Sequence, residues 1–557
     1  METHDLADTS KEQANRAFNG GLKQPIRGWK MHILTFGLWM ALFLSTLETT
    51  IVSTSLVSIT NALNGFDKRD WVVTAYLITY TGFLTIYAKL GDIFGQKTMF
   101  IMGVGSFILF SILCGISTTI QELVIFRVFQ GFGASGIYSM TLAITPRLVP
   151  PQQISKYMAL VSSVFALASV AGPLMGGVLS KSGNWKWIFE LNAPAGFLAL
   201  AIIIFFLPSI SNDDNDSFDS SPPKKISAAN LQRIDLLGVF LLLAASVLVV
   251  FSFETAGTQY PWNSGIVIVT LILGSTFFVI FILWERWLQN KLPAREEPVF
   301  PPRILWRRDM AAMFLTSFFI GFSFTSVVVN IPQRAQAVYG YSPERAGITL
   351  LPLLLSSPLA TAFSSFLTSK CKVPPTYLIL AGVIVQSLGM GMACSLPTNS
   401  LSLPYQQLIF EAIIGTGFGF TLTTTLTLAQ IVTAQNDLLD VTNDIGKPAV
   451  TLGALTQVRV LGGTLGLAIS STVLNSDVSN RLEHIIGLQE VQNITKSFSA
   501  IESLSPGQQR LTRLVFAEGF QRQTIVMAAF SGMALICSLL LIQRRSRGAL
   551  DTESRSL

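Results

Sequence analysis

Charge is scarce in this chain: only 13% of its 557 residues are Asp, Glu, Lys or Arg, while half are apolar. A soluble globular chain carries about 25% charged residues, so that class is excluded and a polytopic membrane protein is indicated. Histidine is rarer still, at three residues, and the four cysteines at 114, 371, 394 and 537 show no paired spacing. They read as small hydrophobes, which excludes a disulfide framework and a metal site and leaves no cofactor implied. No HExxH or GxSxG pattern marks a membrane enzyme, and no GxxxxGK[ST] loop or soluble domain provides for ATP. The first thirty residues hold no signal-peptide core followed by a cleavage site, so the first apolar run must direct insertion. The net charge of +6 does not point to nucleic acid, because Lys and Arg fall in short clusters between apolar segments, as in cytoplasmic loops.

What the chain does have is apolar runs near 32–60, 71–90, 98–118, 122–146, 154–180, 187–208, 235–254, 264–288, 310–332, 346–369, 375–395, 404–433, 449–475 and 523–543. Some 20 residues of helix cross about 30 Å of hydrocarbon, so fourteen spans are expected. An even number puts both termini on one side. Lys11, Arg16, Lys23, Arg27 and Lys30 before the first span, with Arg544, Arg545 and Arg547 after the last, make that side the cytoplasm. The expected division is a tail over 1–31, a six-helix bundle over 32–208, a linker over 209–234, two inserted helices over 235–288 and a linker over 289–309. A second six-helix bundle over 310–543 follows, with a polar outer segment at 476–522, and then a tail over 544–557. Asn493 begins an Asn-Ile-Thr sequon in that outer segment, a glycosylation acceptor if it faces outside.

Charge inside the membrane is costly unless paired or wet, so each such residue is a candidate. Glu48 sits in the polar patch Ser45–Thr54 of the first run, about 24 Å up from the cytoplasmic entry at 1.5 Å per residue. Arg127 lies roughly 7 Å below the outer surface in the fourth, so the two heights nearly match and a proton reaching Glu48 would release Arg127. Glu411 in the twelfth run and Arg459 in the thirteenth form a second candidate pair. Asp437, Asp440 and Asp444 are expected to be solvated, and Glu254 to lie at an exposed helix end. Small residues mark close-packed seams at Gly131, Gly133 and Gly136, at Gly172-Pro173 with Gly176-Gly177, at Gly415, Gly417 and Gly419, and at Gly462, Gly463 and Gly466. Between the second and third runs, Lys89-Leu90-Gly91-Asp92-Ile93-Phe94-Gly95-Gln96-Lys97 forms a tight charged hairpin, in which Asp92 caps a helix or meets a basic group.

These motifs in this order resemble the major facilitator superfamily, and within it the fourteen-span drug:proton antiporters of the fungal efflux type. Gly91-Asp92-Ile93-Phe94-Gly95-Gln96-Lys97 is similar to the superfamily's gating loop, although Ile93 and Gln96 stand where basic residues are usual. Arg127 with Gln130-Gly131 resembles the fourth-span proton-transfer motif, and Gly172-Pro173 with Gly176-Gly177 the antiporter motif. Leu47-Glu48-Thr49-Thr50-Ile51-Val52 resembles the first-span acidic motif, with Glu48 for the more usual aspartate. Trp185-Lys186-Trp187-Ile188-Phe189 with Asn192, Pro194 and Gly196 is similar to the sixth-span entry. The resemblance implies an all-α membrane fold of two six-helix bundles plus two inserted central helices. It further implies a monomer in the plasma membrane, or alternatively the vacuolar membrane, whose partners are protons, the lipid bilayer and a small amphipathic or hydrophobic organic substrate. Export is the implied direction, with a proton-coupled uptake carrier for an iron chelate or sugar as the alternative.

Overall fold

A computed structural model describes residues 28–63, 69–149, 153–181, 184–208, 235–256, 260–290, 307–439, 448–487, 490–491, 494 and 498–542. Among them the long helices are α1 (Trp29–Ala62), α2 (Arg69–Phe94), α3 (Gln96–Ile116), α4 (Ile120–Leu148), α5 (Ile154–Lys181), α6 (Asn192–Phe206) and α7 (Leu236–Thr255). They continue as α8 (Gly265–Asn290), α9 (Arg308–Ala337), α10 (Leu351–Ser369), α11 (Pro375–Ala393), α12 (Tyr405–Leu439), α13 (Pro448–Ile486) and α14 (Pro506–Leu539). Among the described residues, twelve helical stretches are long and apolar enough to cross a membrane. Neither α4 nor α5 is among those twelve; α4 carries Glu122, Arg127 and Gln130 and buries most of its polar side chains against its neighbours.

The helices run up and down. Trp29 at the start of α1 meets Phe206 at the end of α6 with ring centroids 5.9 Å apart, and Lys97 at the start of α3 donates to the Ile204 carbonyl at 2.9 Å. At the opposite end, Trp71 of α2 meets Phe251 of α7, 5.4 Å apart. Helix starts follow local chemistry. Thr119 and Glu122 form a reciprocal capping box that satisfies the first amides of α4, and Ser505 with Gln508, followed by Pro506, does so for α14. Gly95 alone separates α2 from α3, at φ 91°, a backbone state that disfavours any side chain.

The first six helices pack among themselves, as do α9 to α14. Two seams join the bundles. Near the end where α1 begins, α2 and α4 meet α13: Thr85 hydrogen-bonds Gln457, and Arg459 donates to the Tyr138 hydroxyl at 3.0 Å. On the other seam α5 packs on α10, and Val170 enters the apolar cluster around Leu350 and Leu353. Between the bundles, α7 wedges against α2 and α13, with Gln457 donating to Ser246 at 3.3 Å. Its partner α8 leaves Val269, Ile272 and Leu283 about 60% exposed, a surface suited to lipid.

Close packing explains the small-residue seams. A Cβ at Gly462 would lie 2.1 Å from the Phe318 carbonyl oxygen, an atom of backbone that cannot swing aside. Gly462→Ala is expected to lower stability by about 1–3 kcal/mol, read as a lower unfolding temperature in detergent. Gly391→Ala, whose Cβ would meet nothing within 4 Å, is the matched control and should leave that temperature unchanged or slightly raised.

The polar outer segment expected over 476–522 is mostly helical. α13 continues to Ile486 and α14 begins at Pro506, so both helices project beyond their apolar stretches. Arg481 bridges Glu518 at 2.6 Å, and Asp477 pairs with Arg522. Leu482, Ile494, Ile501 and Phe516 close a small core beneath them with Val338 and Tyr339. A hydropathy reading stops where these charges begin, whereas the helix continues because its charges pair across to its neighbour.

Candidate functional site

The site lies among α1, α3, α4 and α6. Glu48 and Arg127 are both fully buried, and Arg127 Nη1 donates to Glu48 Oε1 at 2.6 Å. The same nitrogen donates to Gln130 Oε1 at 2.7 Å, one helical turn along α4, and Arg127 Nε donates to the Val72 carbonyl of α2 at 3.0 Å. The other carboxylate oxygen accepts from Asn192 Nδ2 at 2.6 Å, at the first residue of α6. Ser111 of α3 completes the circuit, accepting from Gln130 Nε2 at 2.7 Å and from Asn192 at 3.4 Å. Side chains of four helices are therefore tied in one polar network around one ion pair; the network also holds the backbone of α2 through Val72, and apolar walls isolate it. The Tyr76 ring lies 4.3 Å from the guanidinium and the Phe189 ring 5.9 Å away, both within cation–π range.

Chemically the arrangement can hold or move one proton. With Glu48 ionised, the pair is neutral and its oxygens are matched by Arg127 and Asn192. A proton on Glu48 removes the charge that Arg127 needs and leaves an unmatched cation in a dry interior, a state that favours rearrangement. Arg127 Nη2 already has no hydrogen-bond partner.

The glycines of α5 press against this region from outside. A Cβ at Gly172 would fall 2.0 Å from Thr50 Oγ1, two residues past Glu48, and Ser55 donates to the Gly176 carbonyl at 3.1 Å. Gly177 lies on the same helix; the side chain of Pro173 lies outside the described residues. In the hairpin, Gly91 leaves room for Met140, whose Cε would be 2.6 Å from an added Cβ, and Lys97 hydrogen-bonds the last carbonyls of α6, including that of Leu207. The Asp92, Glu254 and Asp437 side chains, and Asp440, Asp444 and Asn493, lie outside the described residues.

The second candidate pair is corrected. Glu411 and Arg459 form no ion pair: Arg459 reaches across the seam to Tyr138, whereas Glu411 accepts from Gln407 Nε2 at 2.8 Å and lines a cavity that also holds Arg334. Depth along two helices does not fix the direction in which each side chain points, and α12 and α13 present these residues to different neighbours. Ser111, Asn192 and Gln130 were given no role by charge alone. Neutral amides and hydroxyls in apolar runs are the signal that finds them, because each needs a partner once buried.

Two helical bundles, a wedged helix pair and a buried acid–base pair at a four-helix junction define a polytopic membrane transporter. The Major Facilitator Superfamily pattern matches residues 38–467, and the chain belongs to that superfamily. It is 41% identical to the MFS-type transporter FPY5 of Fusarium mangiferae, over 98% of this chain and 89% of that relative. It is 28% identical to the efflux pump dotC of Dothistroma septosporum, over 91% and 82%. The human organic anion transporter MFSD10 shares the fold at a TM-score of 0.56 and 13% identity, covering 93% of this chain and all of that one.

Proposed function

We propose that this chain is a proton-coupled exporter of small amphipathic or hydrophobic organic compounds, crossing the plasma membrane fourteen times as a monomer and working by alternating access. The buried contact between Glu48 and Arg127 carries this reading. A proton from outside neutralises Glu48, Arg127 is released, and the network tying α1, α3, α4 and α6 is reset. Substrate leaves the outward-open cavity, the bundles then rock, and loss of the proton to the cytoplasm restores the pair. The efflux pumps among the relatives support the outward direction. Asn493 is then an outward-facing glycosylation acceptor.

The test is transport by purified protein in vesicles under an imposed pH gradient, with several fluorescent dyes as probes. Dye movement against its own gradient, opposite to proton flow, supports the reading; movement with the proton flow supports an uptake carrier instead.

Rocking requires the seam of α2 and α13 to part. A Cβ at Gly453 would lie 3.3 Å from the Ala88 Cβ, near the roughly 3.5–4.5 Å of a disulfide. In a Cys371→Ser background, which removes the exposed native thiol, Ala88→Cys with Gly453→Cys is expected to cross-link on oxidation. Dye export should then stop and return on reduction. Undiminished export by cross-linked protein would exclude opening at this seam.

A further inference from the structure

Glu411 borders a cavity of about 50 Å³ lined by α9, α11, α12 and α14, whose walls include Asn330, Arg334, Gln407 and Gln523. All five of these polar residues are at most 5% exposed. Five of their polar atoms have no hydrogen-bond partner: Asn330 Oδ1, Arg334 Nε, Glu411 Oε2, and both Oε1 and Nε2 of Gln523. Buried groups of this kind are rarely left unmatched, so the cavity needs an occupant. A metal cation would serve only the acceptors and is opposed by Arg334; an anion would serve only the donors and is opposed by Glu411. Water serves both, and the space exceeds the roughly 10–15 Å³ that one molecule needs.

The surroundings match those of the first site with the charges exchanged. Glu48 sits among α1, α3, α4 and α6; the cavity sits among α9, α11, α12 and α14, the helices in the same places of the second bundle. Arg127 comes seven residues after the start of α4, and Glu411 six after the start of α12. In the first bundle the acid is on the first helix and the base on the fourth. In the second, Arg334 is on the first and Glu411 on the fourth, and they form no ion pair.

We propose that this cavity holds a water cluster bridging Arg334 to Glu411, through which Glu411 binds and releases a proton. The groups facing that carboxyl are Arg334 from α9, Gln407 of its own helix, which donates to Oε1 at 2.8 Å, and Tyr339, whose hydroxyl donates to Gln407 at 3.0 Å. α11 and α14 bring no charged residue to the wall. The proton passes between Glu411 Oε2 and the adjoining water, and the net charge of the chamber changes by one. The proposal does not depend on the Glu48 reading, since proton binding is measured without any transported compound.

The experiment is an infrared pH titration of the purified full chain in lipid nanodiscs, following the carboxylic-acid stretch of groups shielded from bulk water. A shielded band present in wild type and Glu48→Gln but lost in Glu411→Gln is the expected result. Superimposable spectra for wild type and Glu411→Gln overturn the proposal. Gln523→Leu keeps Glu411 but removes two water partners, and should move the midpoint of that band by about one pH unit, a tenfold change in proton affinity; an unmoved midpoint also overturns it. A wild-type cryo-electron microscopy map gives an arm that needs no variant. Ordered water density between Arg334 and Glu411 is expected, and a chamber closed by side chains refutes the cluster.

Discussion

Glu48→Gln is expected to abolish the stimulation of dye export by a pH gradient while leaving the chain folded. Glutamine keeps the length of the side chain and an oxygen for Arg127, so that 2.6 Å contact can be kept, while its amide nitrogen meets the Asn192 amide as donor against donor. It cannot change charge, and the site is then fixed in the state that protonation would produce. Vesicles with an inward proton gradient should export dye at the gradient-free rate, whereas dye-for-dye exchange without a gradient continues. Export that still follows the gradient in this variant removes Glu48 from the coupling scheme and leaves the family assignment intact. The variant also strands Arg127, so its unfolding temperature is expected to fall.

Arg127→Leu carries the largest expected loss of stability. Both members of the pair are fully buried, and removing the base leaves Glu48 in the interior without its counter-charge, with Asn192 still donating to it. Breaking a buried pair by removing one partner costs about 3–5 kcal/mol, because the survivor remains desolvated. The same substitution also frees the Val72 carbonyl and one acceptor contact of Gln130. Replacing both members, Glu48→Leu with Arg127→Leu, should recover most of that loss, since two well-packed apolar groups need no counter-charge. Thermal unfolding of the four proteins in a double-mutant cycle reads the coupling directly. Additive losses would mean that the two side chains are stabilised separately and that the contact itself contributes little.

The pair was legible in the sequence for a physical reason: a charge inside an apolar run requires a counterpart, and only Arg127 matched the height of Glu48 in the same half of the chain. The same reasoning misplaced Glu411. Height was its only guide, and it selected Arg459, which instead spans the seam to Tyr138. Arg334 stood too near the end of its apolar run to register as an intramembrane charge, although it faces the same cavity as Glu411. The projecting helices of α13 and α14 were hidden in the same way, since charge after an apolar run reads as loop until Arg481 is seen against Glu518.

By itself the sequence determined that the chain is helical and membrane-embedded, where the apolar stretches run, and which few charges could not be left unmatched, because hydropathy and spacing are properties of a line. Only the tertiary structure decided which face of each helix meets which neighbour. That depends on the rotation of every helix about its axis, and rotation is set by the fit of glycines such as Gly172 and Gly462 against backbone far away in the chain.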